Sequence, residues 1–185
     1  MSAAELVCSL LESRGDSQYG GEAVTQLEHA LQAAALAERE QATPALIAAA
    51  LLHDIGHLLH NLPDHAPEDG IDDHHETSAG HYLRKHFPDS VTEPVRLHVA
   101  AKRFLCAVDP NYMQQLSQPS IVSLQLQGGP MSAEEVVEFR KHPFSQDAVR
   151  LRKWDDEAKD PEFVTPPVSH FAKYIQEVQL KAGGE

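Results

Sequence analysis

The stretch "LLHDIGH", Leu51 to His57, sets His53 and Asp54 side by side at the end of the apolar run "PALIAAALL". An ionised carboxylate is costly to bury in such a run unless it is paired or binds a metal ion. Asp54 therefore calls for a cationic partner, and twelve histidines are available to build a site around it. His53 and His57 are four apart and on one continuous helix would share a face, with Asp54 about 100° away around the axis. Such a pair is ordinary by itself, because a single helical histidine is usually a core or surface residue. The wider set changes the reading: His29 in "QLEHAL", His75 in "HHETSAG", His98 in "VRLHVAAK" and Asp155 in "RKWDDEAK" each lie on an apolar or mixed face. A helical bundle builds a metal site by aiming imidazoles and carboxylates from several helices into one interior space. This donor chemistry suits Fe, Mn, Co or Zn without choosing among them.

The elements that must position these groups read as helices. Ser2 and Gly15 bound "SAAELVCSLLESRG", and Thr25 with Glu28 has the spacing of a capping box at the start of "TQLEHALQAAALAERE". Thr43 and Pro44 open "TPALIAAALLHDIGHLLHNLP", a single helix running through the His53-Asp54 pair towards Pro63. Further helices cover "HETSAGHYLRKHF", "EPVRLHVAAKRFLC" with a proline near its start, a short piece around "PNYMQQL", "AEEVVEFRKH" capped by Ser132 and Glu135, "SQDAVRLRKWDDEAK" and "VSHFAKYIQEVQL". The piece before "LQGGPMS" reads as irregular, since "SIVSLQLQ" alternates weakly and a lone strand would have no partner. The expected fold is all-α. Gly, Pro and Asp gather in "GDSQYGGEAV" and "PDHAPEDGIDDH", which we expect to be loops walling a site.

At 185 residues the chain is the size of one domain, and residues 1–185 are read as such. Its formal charge of −13 argues against nucleic acid or an anionic membrane as partner, though a local cationic cluster can still recognise a small anion. Two distant cysteines, Cys8 and Cys106, form neither a disulfide framework nor a thiolate zinc motif. The first residues do not fit a signal peptide and no run is long enough to span a membrane, so a cytoplasmic protein is expected; no residue pattern specifies an oligomer.

The order His29, His53-Asp54, Asp155 resembles the HD-domain superfamily of metal-dependent phosphohydrolases. His75 and His98, lying between, resemble its two-metal subset. More narrowly, "YGGE", "HDIGH", "HHE", "LHVAAKRFLC", "PSIVSLQLQGGPM" and "LRKWDDEAK" are similar to the HD-domain mixed-valence di-iron oxygenases that cleave the carbon–phosphorus bond of hydroxylated aminophosphonates. The likeness runs from about residue 18 to residue 159, with a C-terminal helix at about 167–181 packing on that core.

The resemblance implies an HD-domain bundle with a dinuclear site inside. Asp54 would be the shared ligand, with His29, His53 and Asp155 on one iron and His75 and His98 on the other. The motif selects His75 over His74 and Asp155 over Asp156. Two iron ions, Fe(II)/Fe(III), would be the cofactor and O2 the co-substrate. Tyr19 would occupy an open iron position until substrate enters, and Glu22 would pair with the substrate's ammonium group. His57, Lys102, Ser120 and Arg152 would hold the phosphonate, Lys102 and Arg152 each sharing a helix face with a metal ligand. The implied reaction is oxygen-dependent C–P cleavage of a small 1-hydroxy-2-aminoethylphosphonate-type compound, releasing phosphate and glycine, or glycine betaine from the N-trimethylated analogue. The alternative on the same scaffold is hydrolysis of a nucleotide or other phosphate ester by a metal-bound hydroxide. A noncatalytic HD module is the third reading.

Overall fold

A computed structural model describes residues 1–59 and 74–180. Ten α-helices follow one another among them: α1 Ala3–Arg14, α2 Gln26–Arg39, α3 Pro44–Leu52, α4 His75–Leu83, α5 Asp89–Val108, α6 Tyr112–Gln115, α7 Gln118–Leu126, α8 Ala133–Lys141, α9 Ser145–Glu157 and α10 Val168–Val178. A 3₁₀ turn, Ile55–Leu58, follows α3. Caps stand where hydroxyl residues precede apolar runs. Ser2, Thr25 and Ser132 form reciprocal capping boxes with Glu5, Glu28 and Glu135, and Thr43 accepts from the amide of Leu46.

Helix α3 is the centre. Every residue from Leu46 to Leu52 is buried, as expected of a helix that is apolar all round, and it packs against α2, α5, α9 and α10. Ala33, Ala34 and Ala37 on α2 and Ala48, Ala49 and Ala50 on α3 are fully buried; side chains this small let helix backbones approach closely. Helix α5 packs along α9 and against α4, and α1 lies on α10. Leu51, Leu52, Ile55, Leu83, Leu151, Trp154, Phe171 and Ile175 fill the main core. No described helix is long and apolar enough to cross a membrane.

Three expectations need correction. The helix from Pro44 does not run on through the His53-Asp54 pair. It ends at Leu52, Asp54 takes φ −102° and ψ 11°, and the chain turns into the 3₁₀ segment that carries His57. His53 and His57 thus do not share an α-helical face. Residues 118–126, read as irregular, form α7, with Ser117 as N-cap and Pro119 in the first turn; the alternation of "SIVSLQLQ" is too weak to signal a helix, and the cap was the better clue. Helix α5 begins at Asp89, so Pro94 lies inside it, past the first turn, where it has no amide to give the carbonyl of Ser90. The expected loop "PDHAPEDGIDDH" falls, apart from His74, outside the described residues, as do His60 and His65.

Candidate metal centre

Five elements bring the centre together. His29 comes from α2, His53 and Asp54 from the break after α3, His75 from the first position of α4, His98 from the middle of α5, and Asp155 from the last turn of α9. All six side chains are buried. The break after Leu52 matters, because it lets two consecutive residues, His53 and Asp54, both turn inward.

Asp54 presents its two oxygens to different histidine pairs. Its Oδ2 lies 3.5 Å from His29 Nε2 and 3.3 Å from His53 Nε2, while Oδ1 lies 3.4 Å from both His75 Nε2 and His98 Nε2. Neither oxygen has a hydrogen-bond partner, although both are buried. The histidines converge equally closely, with His29 and His53 Nε2 atoms 3.0 Å apart and those of His75 and His98 3.2 Å apart. Asp155 Oδ1 stands 3.4 Å from His29 Nε2 and 3.9 Å from His53 Nε2.

The outward sides of the rings explain what the inward sides can do. His29 Nδ1 donates to the carbonyl of Ala158 at 2.8 Å, His53 Nδ1 to Ala50 at 2.8 Å, and His98 Nδ1 to Val95 at 2.6 Å. A carbonyl oxygen only accepts, so the proton sits on Nδ1 and each Nε2 offers a lone pair to the centre. Lone pairs and carboxylate oxygens facing one another at this range require positive charge between them. In the metal-free chain a proton on His53 meets part of that need: burial tends to depress the pKa of His53, yet the facing Asp54 and Asp155 carboxylates outweigh it and raise it to about 9. Burial tends to raise the pKa of Asp54, and the imidazoles, His53 foremost, hold it well below the carboxylate range. The pocket is built to attract cations. His29, His53 and Asp54 form one group able to hold a metal ion, and Asp54, His75 and His98 a second; the shared carboxylate is the arrangement a pair of ions needs.

Around the centre, Arg152 is buried on the inner face of α9. Its Nη1 contacts Asp155 Oδ2 at 2.9 Å, its Nε donates to Tyr112 Oη at 3.1 Å and Asp156 Oδ2 at 3.2 Å, and its Nη2 pairs with Asp156 Oδ1. Asp155 is thereby split, Oδ1 towards the histidines and Oδ2 towards Arg152. Part of the five-donor guanidinium fork stays uncommitted. Lys102 is 2% exposed and its Nζ donates to Ser123 Oγ at 2.8 Å. Burial, followed by the charge of Arg152, pulls its pKa down to about 7. Ser120 is buried in the first turn of α7. His57 lies against His75, ring centroids 4.0 Å apart and planes 21° from parallel.

The "QYGGEAVT" segment is an ordered turn. Gln18 and Thr25 make an antiparallel bridge, Tyr19 N donates to Val24 O at 2.9 Å, and Glu22 N donates to Tyr19 O at 2.7 Å. Gly20 and Gly21, between them, have φ of 43° and 81°, a backbone that glycine adopts without strain. The Tyr19 ring stacks on His29, and its hydroxyl donates to Asp155 Oδ1 at 3.4 Å. Burial and the nearby Asp155 and Asp54 keep the phenol protonated. Glu22 Oε1 accepts from Ser117 Oγ at 2.5 Å and pairs with Lys159 Nζ at 3.1 Å.

All the side chains singled out from sequence therefore fall in this one region. Those not foreseen are Lys159, Ser117, Ser123, Tyr112 and Asp156. Lys159 lies four residues after Asp155, a spacing that could have flagged it. Ser117 and Ser123 belong to the unrecognised α7.

An all-helical bundle whose interior holds two overlapping histidine–aspartate groups joined through one carboxylate defines a protein built to bind metal. The chain belongs to the HD-domain family, whose profile matches residues 27–122. It is 43% identical over 180 residues to the [1-hydroxy-2-(trimethylamino)ethyl]phosphonate dioxygenase (glycine-betaine-forming) of Leisingera caerulea, covering 97% of this chain and 92% of that protein. It is 47% identical over 168 residues to the hydroxymethylphosphonate dioxygenase of Gimesia maris, covering 90% of this chain and 83% of that one.

Proposed function

We propose that the protein, as one HD domain over residues 1–185, is a di-iron oxygenase that cleaves the C–P bond of a small 1-hydroxyphosphonate. With a 2-amino substrate the products are glycine and phosphate, and with the trimethylated analogue glycine betaine and phosphate. The C–H and C–P bonds of the carbinol carbon break, one oxygen atom of O2 ends in the carboxylate and the other in phosphate, and no further reductant is needed.

The observation that carries this reading is Asp54 with both oxygens unpartnered between two pairs of imidazole nitrogens. His29, His53 and Asp155 would hold one ion, His75 and His98 the other, with Asp54 between them. Bound iron in the Fe(II)/Fe(III) state would supply one-electron activation of O2 and Lewis acidity towards the substrate's oxygens. The chain's own residues do the rest. Lys102, Arg152, Ser120 and His57 supply donors for a phosphonate, arginine as a planar fork and lysine as a point charge. Tyr19 covers the outer face of His29 and leaves when substrate enters, and the turn around Gly20 and Gly21 excludes water once it closes. Glu22 faces the substituent on the carbon beyond the carbinol.

The test is anaerobic purification with iron, followed by O2 uptake and phosphate release with a 1-hydroxyphosphonate. Stoichiometric uptake of one O2 per phosphate supports the reading. Phosphate release from a nucleotide without O2 would replace it with hydrolysis.

A further inference from the structure

The turn around Gly20 and Gly21, which forms the lid of the site, meets a cation that the residue order does not flag. Lys159 lies two residues beyond the end of α9, and its Nζ reaches three partners: Glu22 Oε1 at 3.1 Å, Ser120 Oγ at 3.0 Å and Ser117 Oγ at 3.2 Å. Ser117 in turn donates to the same Glu22 oxygen and lies 3.1 Å from Ser120 Oγ. The side chains of Lys159 and Glu22 are 12% and 14% exposed, so water screens the pair poorly. Gly21, beside Glu22, faces Pro119 of α7, which brings the turn down onto the same helix end.

This arrangement bears on what the lid recognises. A carboxylate free of partners would draw a cationic head group. Glu22 already holds a cation, and the pair carries no net charge. A substrate bearing ammonium or trimethylammonium must share Glu22 with Lys159, against repulsion from a like charge a few ångströms away. A substrate with no charged head group leaves the pair intact. We infer that Lys159 is a specificity-determining positioning residue: by holding Glu22 it sets the balance between 1-hydroxyphosphonates that carry a cationic head group and those that carry none. The inference rests on the phosphonate reading of the site and deepens it.

The experiment titrates the iron-loaded, oxygen-free enzyme calorimetrically with hydroxymethylphosphonate and with [1-hydroxy-2-(trimethylamino)ethyl]phosphonate, and measures kcat and KM for both in air. Lys159→Met shifts the affinity ratio towards the cationic ligand by about tenfold, through Kd and KM rather than kcat. Lys159→Arg, which keeps the charge, restores the wild-type ratio. Adding Glu22→Gln to Lys159→Met abolishes the shift. An unchanged ratio in Lys159→Met overturns the inference, as does equal weakening of both ligands, which would make Lys159 a general anion contact. A shift that persists with Glu22→Gln also overturns it. Wild-type enzyme that binds neither phosphonate overturns the functional reading, and this inference with it; binding with the ratio unmoved sinks Lys159 alone.

Discussion

The ring of Tyr19 lies flat on the imidazole of His29, centroids 3.7 Å apart and planes 13° from parallel. The aromatic face, more than the 3.4 Å hydroxyl contact to Asp155, shields that side of the centre from solvent. Tyr19→Phe keeps the stack, and Tyr19→Ala removes it. Iron loaded on the His29 side should be lost to a coloured chelator about tenfold faster in the alanine variant; a phenylalanine variant at the wild-type rate makes the ring the protecting contact, and one as fast as alanine makes the hydroxyl an iron ligand.

Asp54 is the one residue that both groups of donors share. Asp54→Asn retains the shape but removes the charge and one oxygen ligand. Loaded anaerobically with iron, the unaltered chain should take up two ions and the Asp54→Asn variant fewer than one, whereas a change confined to His98 should spare the His29 side. Metal analysis of anaerobically loaded protein distinguishes the two.

Gly56 of "HDIGH" is there for space. A Cβ at this position would stand 2.0 Å from the carbonyl oxygen of His75, backbone against backbone, so the 3₁₀ turn and the start of α4 could not approach as they do. Gly56→Ala should cost roughly 2 kcal/mol or more and displace His75. Thermal melts should show the loss of stability, and iron titration a selective loss of the second site.

Lys102, with its pKa lowered to about 7, is mostly neutral at pH 8. An anion seated against it raises that pKa, so phosphate or phosphonate binding at pH 8 should take up about one proton. Calorimetry in buffers of different ionisation enthalpy measures this directly, and affinity should weaken as pH rises above 7. In the free protein the sign is that of a depressed lysine: the cost of burying its charge is full below pH 7 and is relieved as pH rises towards 10.5. Lys102→Met should abolish the proton uptake.

Arg152 bridges Asp155 and Asp156 from a buried position. Arg152→Met leaves Asp155 without its cationic partner and should destabilise the protein by about 3–5 kcal/mol. Denaturant unfolding of the metal-free chain will show whether the loss reflects folding as well as activity.

Much of this was legible in residue order. Caps at Ser2, Thr25, Thr43 and Ser132 mark helix starts, because a hydroxyl before an apolar run satisfies otherwise orphaned amides whatever the rest of the fold does. The all-α class and the family likewise followed from local pattern and motif. The helix break at His53-Asp54 was not legible. Leu51 to His57 has no proline and could continue as helix; the chain turns there because Gly56 meets the backbone of His75 and because both His53 and Asp54 face inward.

Residue order alone marks which side chains are candidates for chemistry and most of the helices that bear them, since helix propensity, capping and donor type belong to single residues and their near neighbours. Long-range packing sets the rest: Asp54 divides its oxygens between two histidine pairs, Arg152 is engaged by two aspartates, and Glu22 already holds Lys159, which lies 137 positions further along the chain. Such pairings depend on distances in space between elements remote in sequence, and those distances are set by how the small-residue faces of α2 and α3 let the bundle close.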